Sequence, residues 1–207
     1  MVKKRFAGEQ VALLDPIVDK LLTMMGAARV AFNRHSRISL EELRNLQSMV
    51  AMESSNMGKQ LKGLIAQKSE EEKPAFVKVH SILNHMEMIG DNIGGFADPI
   101  EKKIRNAVLF SDKAVTQTNF LFDQHSGLIR SLLDIIKTDN EFLKKYVLEE
   151  GRKLVQACID FATEHEERMI EGLCMPQAAP IFLAILDRMR IVSQHEMEIT
   201  TILAKKD

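Results

Sequence analysis

His85-Met86-Glu87-Met88-Ile89-Gly90-Asp91-Asn92-Ile93 sits inside a longer stretch, Ala75 to Val108, on which the reading of the whole chain turns. Apolar residues recur there at Val79, Ile82/Leu83, Met86, Ile89, Ile93, Ala97, Ile100, Ile104 and Val108. Spacing by threes and fours is one stripe of a long amphipathic helix. A polar line runs beside it: His80, Asn84, Glu87, Asp91 and Asp98. Glu87 and Asp91 are four residues apart, so their carboxylates stack at the edge of the stripe. Gly94-Gly95 followed by Asp98-Pro99-Ile100-Glu101 interrupts the stretch, because a proline inside a helix removes a hydrogen bond. A kink or break is expected there.

Five further helical stretches surround this one. The first runs from about Glu9 to Asn33, with Asp15-Pro16 as an alternative start. A second opens at Ser39-Leu40-Glu41-Glu42, read as a capping box, and carries Glu53 inside its apolar seam. Ser69-Glu70-Glu71-Glu72 and Pro74 lead into the quoted helix. Ser111-Asp112 begins a fourth, whose seam includes Leu121/Phe122, His125, Leu128/Ile129 and Leu132. Thr138-Asp139-Asn140-Glu141 is read as the capping box of a fifth, which ends at Gly172. The sixth carries Phe182, Ile185, Met189, Val192 and Ile199. Pro74 and Pro176 are read as opening the third member of each set. Short connections make successive helices antiparallel neighbours. The expected architecture is all-α: two tandem antiparallel three-helix bundles, residues 1–109 and 110–207.

Composition narrows the function classes. The 207 residues are 45% hydrophobic and 28% charged with a formal net charge of -1, so no basic excess points to nucleic acid. No segment reaches the ~20 apolar residues of a bilayer span. The basic start Met1–Arg5 is followed by no signal-peptide core. Cys158 and Cys174 form no Cys-x-x-Cys pair and read as reduced thiols. A soluble, cytoplasmic protein is the expectation. Met24, Met25, Met49, Met52, Met57, Met86 and Met88 read as core filler.

The stretch Met86–Ile93 resembles the Glu-Arg-Ile-Gly-Asp signature of PhoU-like domains, which are tandem three-helix repeats. The second half is similar to the soluble C-terminal domain of sodium/phosphate cotransporters of that family. Phe110-Ser111-Asp112-Lys113-Ala114 and Glu164-His165-Glu166-Glu167-Arg168-Met169-Ile170-Glu171-Gly172-Leu173-Cys174-Met175-Pro176 carry that likeness, continued by Phe182, Ile185-Leu186 and His195. The resemblance implies a regulator of phosphate uptake. It implies as partners a membrane phosphate transporter or its signalling proteins, met at the inner face of the plasma membrane. Homodimerisation is left open. Some members hold iron or zinc clusters through Glu-x-x-x-Asp pairs. Here Glu87 and Asp91 match one such pair, whereas Met57 stands where the Asp after Glu53 would be. In the second repeat the third-helix pair is absent, the positions being Met189/Ser193 or Arg190/Gln194.

Counting along antiparallel helices puts Glu53 and Glu87 at one level, each roughly 20 Å from a turn. Glu53, Glu87 and Asp91 are therefore the candidate ligands of a divalent metal, iron, zinc or magnesium, with Asp19 near the same height. The alternative is a solvated edge whose carboxylates pair with Lys59 or Arg29. His125, His165 and His195 fall at heights spread over roughly 25 Å and read as separate core or surface residues. No histidine follows a Glu by three, as ferritin-type diiron sites require. No nucleophile–base pair or phosphate-cradling glycine loop is present. The second bundle is expected to close with Arg190 against Glu149 or Glu150. A non-enzymatic regulator is the leading reading. A metal-dependent bundle enzyme or store, and a helical adaptor unrelated to phosphate, stand as alternatives.

Overall fold

The computed structural model describes residues 14–205. Among them are seven α-helices and one 3-10 turn, in an all-α bundle. The helices are α1 (Asp15–Arg34), α2 (Arg37–Gln67), α3 (Lys73–Gly94), α4 (Ala97–Arg105), α5 (Asp112–Thr138), α6 (Glu141–Ile170) and α7 (Ala179–Ala204). Residues 9–13 of the expected first helix lie outside the described residues. Pro16 occupies the first turn of α1, where a missing N–H costs nothing, so the Asp15-Pro16 start is the one observed within that range.

Two expected caps move. His35 closes α1 in the left-handed conformation (φ 53°), which reverses the chain and makes Ser36 the first residue able to cap α2. Its hydroxyl accepts from the Ser39 amide at 3.1 Å, so Ser39 lies in the first turn and is not the cap. Asp139 likewise ends α5 at φ 52°, and Asn140, not Thr138, caps α6 by accepting from the amides of Phe142 and Leu143. Ser111 caps α5 as the sequence suggests, accepting from Ala114. Pro176 opens the 3-10 turn, and Pro180 is the proline in the first turn of α7.

The long third helix breaks after Gly94. A side chain at position 94 would strike Gln47 of α2, and one at 95 would strike the Arg188 guanidinium of α7. Pro99 then sits in the first turn of α4, so the expected break falls between Gly94 and Ala97.

Helices α1, α2 and α3 pack in sequence, as do α5, α6 and α7. The two sets meet through α1 along α5 and α3 along α7. Arg29 with Asp123 and Asp15 with Lys137 run α1 antiparallel to α5. His85 with His195, and Lys78 donating to the Lys205 carbonyl, do the same for α3 and α7. Four helices thus form the centre and α2 and α6 flank it. One continuous core runs through both halves. Phe32, Phe110, Phe122 and Phe182, with Phe96, link ring to ring at centroid distances of 5.5 to 6.2 Å. Buried residues recur in the same spacing on the two first helices, from Ile17 and Leu121 to Phe32 and Ile136. The methionines divide: Met24, Met25 and Met86 are core, whereas Met49, Met52 and Met88 are exposed on the outer faces of α2 and α3, which corrects their reading as filler throughout.

Candidate functional site

The carboxylates named from the sequence lie on α2 and α3. A Cβ at Gly90 would meet Val50, which sets the register and brings Glu53 and Glu87 to one level. Glu53 is engaged from α1, its carboxylate 2.9 Å from the Lys20 ammonium; neither Lys59 nor Arg29 is its partner. Arg29 instead spans to Asp123 and Asn119 of α5. Glu87 is half-buried and Asp91 exposed. Burial, and then the Asp91 charge, push the Glu87 carboxyl above the usual range. Asp19 is exposed. Among the described residues no three His, Cys, Asp or Glu side chains gather as a group able to hold a metal ion. The donor set thus does not fit the multinuclear centre that the family resemblance implies, and Lys20 already neutralises the Glu53 carboxylate.

The expected closure of the second half through Arg190 and Glu149 or Glu150 is not formed. Arg190 pairs with Asp187 at 2.6 Å and Glu150 with Lys153 at 2.7 Å, each within its own helix. The reason is register. With α6 ending at Ile170 and α7 starting at Ala179, Gly151 lies against Met197 and Arg190 comes level with Cys158, about two turns from Glu150.

The histidines do not converge, as their heights indicated, but two of them take part in pairs the sequence did not reveal. His125 and Glu196 are both fully buried, with Nδ1 3.0 and 3.1 Å from the two carboxylate oxygens. In the first half the corresponding helices, α1 and α3, meet with Leu21 against Gly90. Glu196 falls on the α7 seam between Val192 and Ile199; that spacing is the signal that could have found it. His85 and His195 approach with Nδ1 atoms 3.0 Å apart. Burial, and then His85, hold the His195 pKa down, against a smaller opposite effect of Glu198. His165 is buried against Phe182 at 4.8 Å between ring centroids, and neither ring nitrogen has a partner. Lys144, also buried, is neutralised by Asp139 and Glu141.

A groove of about 430 Å³ lies between α6 and α7, with Cys158, His165 and Leu186 on its floor and Ile159, Leu183 and Arg190 on its sides. Burial pushes the Cys158 thiol up to about 12, so it stays protonated and is no nucleophile at neutral pH. Both cysteines are free. No described helix is long and apolar enough to cross a membrane.

This arrangement defines an all-α protein of paired helical triplets sharing one core. Two solved structures have that fold: PhoU from Pseudomonas aeruginosa, at TM-score 0.86 and 12% identity, and the phosphate transport system regulatory protein PhoU from Streptococcus pneumoniae, at 0.81 and 14%. Each alignment covers 94% of this chain and 93% of the other. The fold is therefore the PhoU fold. No protein-family model matches the sequence, and no curated protein matches it either.

Proposed function

We propose that this protein is a non-enzymatic regulator of phosphate transport that acts by docking to a membrane phosphate transporter or its signalling proteins from the cytoplasmic side. The observation that carries the reading is the likeness to two PhoU structures along nearly the whole chain, one of them named as a phosphate transport regulator. A protonated Cys158 and the internally paired His125 and Glu196 agree with a scaffold rather than an active site. Loss of phosphate control in a deletion strain, restored by the intact gene, together with retention of the transporter in a pull-down, is the expected result. Unchanged phosphate uptake and no retention would overturn the reading.

Metal linkage is a finer form of the same proposal. A divalent cation would sit on Glu87 and Asp91, whose mutual repulsion it would relieve, and Glu53 would join only by leaving Lys20. Equal metal content in the wild type and in Glu87→Ala/Asp91→Ala removes that form.

A further inference from the structure

A second pocket, of about 320 Å³, lies between the first turns of α2 and the last turn of α4. Arg37 and Arg44 line it from α2, with Leu40 and Glu41 between them on the same stripe. Arg105 lines it from α4, together with Ile104 and, one turn earlier, Glu101. Glu101 accepts a hydrogen bond from the Arg44 guanidinium at 2.7 Å, and Asp98 lies 3.8 Å from the same group. Arg44 above all, and then Arg105 and Arg37, hold the Glu101 carboxyl below the usual carboxylate range.

The cations outnumber what the acids can neutralise. Arg44 is satisfied by Glu101, whereas Arg37 and Arg105 form no ion pair with any carboxylate among the described residues. Two unpaired guanidinia therefore share one pocket, brought there by two different helices. A guanidinium stays charged at every physiological pH, and its rigid fork of donors matches two oxygens of a phosphate at once. Like charges held this close repel one another, and an oxyanion between them removes the repulsion.

We propose that Arg37 and Arg105, with Arg44 beside them, bind a phosphate group, either inorganic phosphate or the phosphate of an anionic lipid headgroup. Both sources present the same oxygens to the guanidinia. Ile38 bears on the second source. It is 81% exposed next to Arg37, an aliphatic side chain able to enter the acyl boundary while the arginines hold headgroups. Glu101 competes for the same donors, so it lowers the affinity that the arginines would otherwise give. Occupancy would tie α2 to α4 across the pocket. The inference does not depend on the phosphate-transport reading, because it rests on the arginines alone.

Full-length protein titrated with sodium phosphate at constant ionic strength provides the test, followed through the arginine Nε–H signals in nuclear magnetic resonance. Saturable shifts of Arg37, Arg44 and Arg105 are expected. Affinity should fall at least tenfold in Arg37→Gln/Arg105→Gln, and by less in each single variant. Arg130→Gln/Arg152→Gln removes the same charge from exposed positions elsewhere and should bind as the wild type does. Glu101→Gln should bind more tightly, because the competing carboxylate is gone. Circular dichroism establishes that each variant is folded. Sedimentation with vesicles of phosphatidylcholine, with and without phosphatidylglycerol, separates the two sources. Retention on the anionic vesicles alone, lost in Arg37→Gln/Arg105→Gln and weakened in Ile38→Gln, assigns the site to a headgroup. Shifts with inorganic phosphate and no retention assign it to the free ion. Neither saturable shifts nor retention, or equal losses in the two double variants, overturns the proposal.

Discussion

His125 and Glu196 face one another across α5 and α7, fully buried, whereas the corresponding helices of the first half, α1 and α3, meet with Leu21 on Gly90. Removing one partner of a buried pair leaves an uncompensated polar group and typically costs about 3–5 kcal/mol. His125→Ala is expected to destabilise the fold by that order. His125→Leu/Glu196→Met keeps the volume and removes both polar groups, so it should return to within about 1 kcal/mol of the wild type. Urea denaturation of the three proteins checks this; a double variant no better than the single one would contradict it.

That pair also marks where the sequence stops being legible. The stripes of α1, α3 and α5 could be read directly, because apolar spacing alone dictates which face turns inward. His125 stood visibly in its seam. Glu196 falls on its seam's spacing as well, but a glutamate on a helix is ordinarily solvent-facing and only its partner on another helix makes burial tolerable, so spacing alone does not assign it to the core. Counting from the turn reaches the right level on α2 and α3 because only five residues separate Gln67 from Lys73. On α6 and α7 the 3-10 turn at Pro176–Ala178 and the residues before it displace the count, so equal spacing from the turn pairs Arg190 with Glu150 where the fold sets it level with Cys158. The caps at Ser36 and Asn140 were hidden for another reason. Each depends on the preceding residue, His35 or Asp139, adopting a left-handed conformation; both residue types are enriched there, but so few non-glycine residues adopt it that neither marks the turn by itself.

His165 supplies a pH dependence. Burial, and then Arg168, hold its pKa below the ordinary histidine value. Near pH 8 it is neutral folded and unfolded, so it contributes no slope. As the pH falls through the ordinary value, the unfolded chain takes up the proton first, and stability drops. Leu61 occupies the matching place on α2, so His165→Leu is the natural replacement. Its melting temperature should decline less than the wild type's between pH 8 and pH 5. Parallel declines would exclude His165 as a source of the slope.

Two glycines should respond in opposite senses to alanine. Gly127 lies within α5 with nothing near the place a Cβ would take, so Gly127→Ala should stabilise by about 0.5–1 kcal/mol through helix propensity. At Gly90 the new carbon would stand 2.9 Å from Val50 and 3.3 Å from Leu21. Valine has little rotamer freedom in a helix, so α2 or α1 must shift, at a cost of about 1–3 kcal/mol. Gly90→Ala is therefore expected to be the less stable of the two variants in chemical denaturation, and a stabilised Gly90→Ala would show that the α2–α3 contact is looser than its geometry indicates.

Division at 109/110 into two repeats is a proposal about how the chain is organised, and the shared core gives it a specific consequence. Phe32 of α1 touches Phe110 and Phe122 from the second half, and Phe110 reaches on to Phe182 of α7. Phe96 closes on Phe122 edge to face. Each half alone would expose these rings together with the inward stripes of its first and third helices, which is far more apolar surface than soluble monomers leave uncovered. Residues 1–109 and 110–207 expressed separately should be poorly soluble or lack a cooperative thermal transition. Mixed from denaturant, they should recover a single transition near that of the intact chain, because the missing faces are supplied by the other fragment. A sharp, reversible transition in either isolated half would mean that the repeats fold independently and that the phenylalanine contacts only dock them.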